Sequence, residues 1–210
     1  ARFDEGLEQM LKTRELDPIS PSVLQALGWC YYHARRFDEA LNTFQNMLEA
    51  VPEFPYGLIT YSWALRHAGD VNRAVEVAEK AVEFSGGSQF YLGVLGGTYA
   101  AAGKEKEARA VIDRLTSMSV HTYVSPYHLA LIHLHLGERE RALQLLQNAH
   151  AIRDAWVVWM GVEPQLDPLR GEPAFEEILR EMRHPAMYRK LAKMMAAGRK
   201  NRNLGMPTRN

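Results

Sequence analysis

The sequence predicts an all-α solenoid of stacked helix-turn-helix repeats, and three observations carry that expectation. The first is a frame in Pro21 to Phe54, Leu24-x2-Leu27-Gly28-x2-Tyr31, then Ala40-x3-Phe44, then Pro52, which returns every 34 residues. The second is the placement of small residues. Gly28, Gly96 and Ala130 share one register and Ala40, Ala74, Ala108 and Ala142 another, and paired helices approach closely only where side chains are short. The third is punctuation: residues 69–74, 103–108 and 137–142 run from glycine to alanine as tight turns, each followed by a charged first turn.

In order along the chain, residues 1–20 read as a half repeat, a second helix without its first. Phe3-Asp4-Glu5-Gly6-Leu7 mirrors Phe37-Asp38-Glu39-Ala40-Leu41, and Pro18 falls where Pro52 falls. Repeat one is 21–54, opened by Ser20-Pro21 as a serine N-cap with proline at the first helical position. Repeat two, 55–88, keeps the frame with Leu58, Tyr61, Leu65, Gly69 and Ala74, and Gly86-Gly87 ends its second helix. Repeat three, 89–122, has Leu92, Leu95, Gly96, Tyr99, Gly103 and Ala108. Repeat four, 123–156, has Leu129, Ala130, His133, Gly137 and Ala142, with Ser125-Pro126 as a second serine-proline start. Each unit leaves an apolar face that only a neighbour can cover, so nine or more helices stack. After Trp156 the period fails. Residues 157–184 read as a C-terminal capping segment with a helix from Phe175 to Met182, and 185–210 as a basic tail, partly disordered, with Met187, Leu191 and Met194 on one side of a short helix.

The frame resembles the tetratricopeptide repeat, whose Trp-x2-Leu-Gly-x2-Tyr, Ala-x3-Phe and Pro signature differs here in Leu24 for Trp. The resemblance implies a right-handed α-solenoid whose first helices line a concave face. In that family the ligand-facing residues sit mostly at positions 2, 5, 6, 9, 12 and 13 of each first helix. Carried onto this chain, the candidate peptide- or ligand-binding residues of repeat one are Trp29, Tyr32 and His33, with Gln25 beside them. Repeat two adds Tyr56, Trp63, Arg66 and His67, with Thr60. Repeat three adds Phe90, and repeat four Tyr127, His128 and His135. The Lys, Asn and Arg set with which some members hold a peptide carboxylate is absent except for Arg66, so an aromatic and imidazole groove is expected instead. The small Gly93, Val94, Gly97, Ala100 and Ala101 suggest room between Trp63 and Tyr127. The competing reading is that some of these rings fill the solenoid interior.

Residues 120–182, from Ser125-Pro126-Tyr127 through Asp167-Pro168-Leu169-Arg170 to Phe175-x3-Leu179, also resemble the C-terminal end of bacterial multidomain regulators. There a tetratricopeptide array follows a winged-helix domain, a Ser/Thr kinase or a nucleotide cyclase. The function expected is therefore a non-catalytic protein-protein interaction scaffold; the alternative is the sensory, ligand-binding C-terminal segment of such a signalling regulator. The sequence starts at Ala1 and enters halfway through a repeat, which reads as a fragment of a longer chain.

Composition narrows the remaining classes. With 47% hydrophobic and 24% charged residues the chain is ordinary globular material. Its zero formal charge hides an asymmetry, because Asp and Glu stop at Glu181 while eight Lys and Arg follow from Arg183 onward. That tail would suit nucleic acid or an anionic membrane, against the reading in which it only caps the solenoid. The single Cys30 fits a reducing, cytoplasmic setting. It has His33 near it but no thiolate-forming environment, and no nucleophile, base and oxyanion donor come together, so no catalytic residue and no cofactor are expected. His128-x4-His133-x-His135 does not converge three ligands on one ion, so no metal is expected either. His33, His67 and His135 share one register and, if solvated, would make binding pH-dependent. The incomplete first repeat leaves an edge that a second copy would cover, an expected route to self-association.

Overall fold

A computed structural model describes residues 3–182, and the basic tail and its short helix lie outside the described residues. Residues 3–157 and 158–182 fall in two compact units. The first is all-α. Its helices are α1 Phe3–Leu16, α2 Pro21–His33, α3 Phe37–Ala50, α4 Pro55–Ala68, α5 Val71–Phe84, α6 Gln89–Ala101, α7 Glu105–Met118, α8 Pro126–His135 and α9 Arg139–Ala151. Successive helices pack in pairs, α2 on α3, α4 on α5, α6 on α7 and α8 on α9. The first helices α2, α4, α6 and α8 also touch their like neighbours, as a stack of two-helix repeats requires.

The pairing follows from the small residues. A Cβ at Gly28 would stand 2.3 Å from Phe44 Cε1, so α2 and α3 close only because that side chain is missing. Ala40, Ala74, Ala108 and Ala142 are fully buried, and Leu27, Phe44, Met47, Ile59 and Leu65 fill the space between the first repeats. α3, α5 and α7 are strongly two-sided, with charged outer faces, whereas α4 and α6 are buried nearly all round because helices cover them on several sides.

Capping departs in part from the sequence expectation. Ser20 holds the N-cap position, but its hydroxyl pairs with that of Ser22 at 3.0 Å and makes no cap bond. Ser125 does accept from the His128 amide, and Asp70, which the sequence reading passed over, accepts from the Arg73 amide at 3.3 Å. The turns inside the pairs are left-handed at one register: Gly69, Gly103 and Gly137 have φ of 90°, 73° and 83°. Arg35 occupies the same register with φ 62°, a conformation that costs a residue with a Cβ about 1 kcal/mol. Arg35→Gly, which takes this conformation without a Cβ clash, is therefore expected to add about 0.5–1 kcal/mol of stability, read from the urea midpoint, less what is lost with the 2.7 Å bond from its guanidinium to the His33 carbonyl.

In the second unit a 3₁₀ turn at Pro164–Leu169 precedes α10, Pro173–Glu181, which starts two residues before the expected Phe175 because Pro173 takes the first helical position. The nearly buried Arg170 guanidinium holds this segment, donating to Asp167 Oδ1 at 2.5 Å and to the Glu163 carbonyl at 3.1 Å. Among the described residues no helix is long and apolar enough to cross a membrane.

Candidate binding groove

The candidate residues divide into two layers. Tyr32, His33, Trp63, Tyr127 and His128 are 2–4% exposed and lie beneath the surface. Trp29, Tyr56, Phe90, Arg66 and His135 are half-buried and His67 is exposed. Within the buried layer Tyr32 stacks on Trp63 at 6.0 Å, and Trp63 meets the half-buried Trp29 edge-on at 6.0 Å. Gln25 and Thr60, also buried, bond to each other, the Gln25 amide donating to the Thr60 hydroxyl at 3.2 Å.

Above the floor a ladder of rings crosses the repeats. Trp29 stacks on Tyr56 at 6.1 Å, Tyr56 reaches Phe90 at 6.1 Å, and Phe90 lies parallel to Trp156 at 5.0 Å, with 8° between their planes. Tyr56 and Phe90 share position 2 of their first helices, so the 34-residue frame repeats the ring at a fixed rise. The sequence frame places Trp156 at the end of repeat four and gives it no role in the groove. The signal for it was register: 34 residues after Thr122, it stands where a following first helix would be capped. His128 sets its edge against Phe90 at 5.1 Å and against Trp156 at 5.0 Å.

Asp154 anchors the end of this ladder, and the sequence reading missed it too. Its Oδ2 accepts from the Tyr123 and Ser125 hydroxyls at 2.6 Å each, and its Oδ1 from the Trp156 amide at 2.8 Å. Those bonds fix the 123–125 loop against Trp156. Beside them lies a cavity of about 200 Å³ with mostly apolar walls, lined among others by Phe90, Leu115, Val124, His128 and Trp156.

The room expected between Trp63 and Tyr127 takes a different form. A Cβ at Gly93 would stand 2.8 Å from His128 Cβ, and one at Gly97 would touch His135 at 3.9 Å, so the small residues of α6 admit α8 instead of a ligand. That closeness lets the Arg66 guanidinium donate to His135 Nε2 across repeat three.

The expected titration near neutrality is overturned at His67. Its ring lies flat on Phe37 at 4.3 Å, and desolvation there, reinforced by the Arg66 and Arg35 charges, pushes its pKa below the ordinary imidazole value. His128 is pushed down to about 4 by burial, against the opposing pull of Asp154. Both are neutral at pH 7. Burial raises the Cys30 pKa, which keeps the thiol protonated.

Comparison with known proteins agrees with this geometry. Residues 23–55 match the family model for the tetratricopeptide repeat. A comparison with curated proteins found no match. Among solved structures, a thermophilic tetratricopeptide protein of Thermus thermophilus is similar over 75% of this chain and 87% of its own, at TM-score 0.58 and 20% identity. A chain of the APC/C hetero-tetramer Cut9–Hcn1 is similar over 86% of this chain, at TM-score 0.57 and 15% identity; the match spans 36% of that chain's length. The chain thus carries a tetratricopeptide repeat at residues 23–55 and has the all-α solenoid fold of tetratricopeptide-repeat proteins.

Proposed function

We propose that the chain is a non-catalytic protein-interaction scaffold that holds an extended partner segment along the ring ladder of Trp29, Tyr56 and Phe90. The observation that carries this reading is the ladder itself: half-buried aromatic rings in contact from repeat to repeat, on the first helices of successive repeats. Rings of this kind, rigid and partly desolvated before binding, are what concentrates binding energy at interfaces. The likeness of fold to a chain solved within a hetero-tetramer supports it.

The test is capture of partners by the intact chain beside a Trp29→Leu, Tyr56→Leu, Phe90→Leu variant, with circular dichroism to confirm unchanged helicity. Leucine keeps much of the apolar packing and removes the rings. Capture is expected to fall at least about tenfold, the scale of an interface hot spot. A control at the exposed Lys106 and Glu107 of α7, Lys106→Ala with Glu107→Ala, should capture normally. Equal capture by the ring variant would remove the groove as the binding surface.

A further inference from the structure

A second cluster stands beside the ladder, and it is charged. Arg35 is half-buried and holds φ 62° in the turn between α2 and α3, where the equivalent turns have Gly69, Gly103 and Gly137. A long side chain kept in a backbone conformation that suits glycine marks a place where the residue's chemistry outweighs the strain. Arg66, also half-buried, reaches His135 of α8 across α6. Gly97 of α6 lies beside that bond, its Cβ position 3.9 Å from the His135 ring, whereas the neighbouring Gly96 faces Val111 of α7. The arginine therefore crosses α6 on a different side from the one that its pair helix covers. The exposed His67 joins the two arginines. Both guanidinium charges act on its ring, which lies flat on Phe37 and meets the Tyr32 hydroxyl at 3.4 Å.

Two like charges held around one neutral imidazole repel each other. Arg35 gives a bond to the His33 carbonyl and Arg66 one to His135, and neither bond brings a negative charge. A guanidinium is planar and recognises a carboxylate through N–H groups in a fixed fork.

We infer that the partner segment carries an acidic side chain, Asp or Glu, whose carboxylate is held between Arg35 and Arg66 while apolar residues of the same segment lie on the ladder. This deepens the scaffold reading and rests on it. Contact is continuous between the two places: Trp29 of the ladder meets Trp63, Trp63 stacks on Tyr32, and Tyr32 meets His67, with centroids 6.0, 6.0 and 5.5 Å apart. An extended chain advances about 3.3 Å per residue, so the acid falls within about five residues of the side chain on Trp29. A basic segment would meet like charge at the same place.

The experiment is selection of a random dodecapeptide library displayed on phage against the intact chain. Each peptide's C-terminus is joined to the coat protein, so only side-chain carboxylates can act. Enriched peptides are expected to hold Asp or Glu within about five residues of an aromatic or large aliphatic residue. The most enriched peptide, synthesised with an amidated C-terminus, is then titrated by calorimetry beside its form with Gln or Asn in place of the acid. The amide form should bind at least about tenfold more weakly, the worth of a hydrogen bond between charged groups. Arg35→Gly and Arg66→Gln, each with helicity checked, should bind the two forms nearly alike, and Arg66→Lys, which keeps the charge, should retain part of the difference.

Selection that yields no peptide, or peptides without enrichment in acid, would overturn the inference. Equal affinity for the acid and amide forms would do the same, as would a preference that survives both arginine substitutions. A phosphoserine form that binds more than about tenfold tighter than the acid would overturn the carboxylate in favour of a phosphate. Failure of the ladder is read separately. Normal binding of the selected peptide by the Trp29→Leu, Tyr56→Leu, Phe90→Leu variant sinks the scaffold reading and leaves the arginine pair standing. Loss of binding in that variant, with no effect of either arginine substitution, keeps the ladder and sinks the pair.

Discussion

Trp63→Ala is expected to destabilise the chain by about 3–5 kcal/mol, the range for truncating a large buried aromatic ring, and to lower the melting temperature by roughly 6–20 °C for a chain of this size. Trp63 is 4% exposed, stacks on Tyr32 and meets Trp29 edge-on. Its loss opens a hole between repeats one and two. In a solenoid such a loss falls on the interface between neighbours, so the urea transition should broaden as the two halves uncouple. Urea unfolding followed by circular dichroism measures both effects. A change below about 1 kcal/mol would mean that the ring is peripheral. Trp29→Leu is the companion variant; it removes a half-buried ring and should cost clearly less.

Acidification is expected to remove roughly 3 kcal/mol of stability through His128 alone, from a pKa of about 4 in the folded chain against 6.5 in the unfolded one at about 1.4 kcal/mol per unit. The folded state disfavours the imidazolium, so the unfolded chain binds the proton more readily. Stability is full above about pH 6.5 and is lost as the pH falls toward 4. Asp154, the carboxylate facing this ring, opposes the effect without reversing it. His67 acts in the same direction, and its exposure to solvent makes it the smaller contributor. Urea midpoints at pH 7, 6, 5 and 4.5 should decline, and His128→Phe should flatten the decline. Parallel profiles for the two proteins would refute the assignment. Because both imidazoles are neutral at pH 7, partner affinity carried by the ladder should change little between about pH 6 and 8.

The all-α solenoid was legible because its determinants are local and periodic. Gly28, Gly96 and Ala130 share one register, and the short side chain admits Phe44 in the first pair and Val111 and Ile132 in the third. Which rings lie within reach of a partner was not legible from the same frame. Positions 9 and 12 give Trp63 and Tyr32 the same status as Trp29, and only the packing of the folded repeats decides that two sink while one stays half-buried. Asp154 escaped because it follows the last helix of the final repeat, and Trp156 because its register, 34 residues after Thr122, is only that of a cap for a first helix that does not follow. Phe37, on which His67 stacks, escaped for a related reason: it begins a second helix, a place the family pattern does not assign to the groove. The histidines illustrate the limit most directly. Three share a register, yet His33 is buried, His67 is desolvated against a phenyl ring, and His135 accepts a bond from an arginine two repeats away.

That last bond has a mechanical consequence. A stack whose units touch only their neighbours behaves as a spring, extending by a small rotation at every joint. Arg66 and His135 are 69 residues apart and link α4 directly to α8, so flexing at the two joints between them is coupled through that bond. Pulled along its length, this stretch should resist as one stiff element, and compliance should concentrate toward α1. Arg66→Ala would return it to a chain of separate hinges, seen in single-molecule stretching as a softer and longer rise before the first rupture.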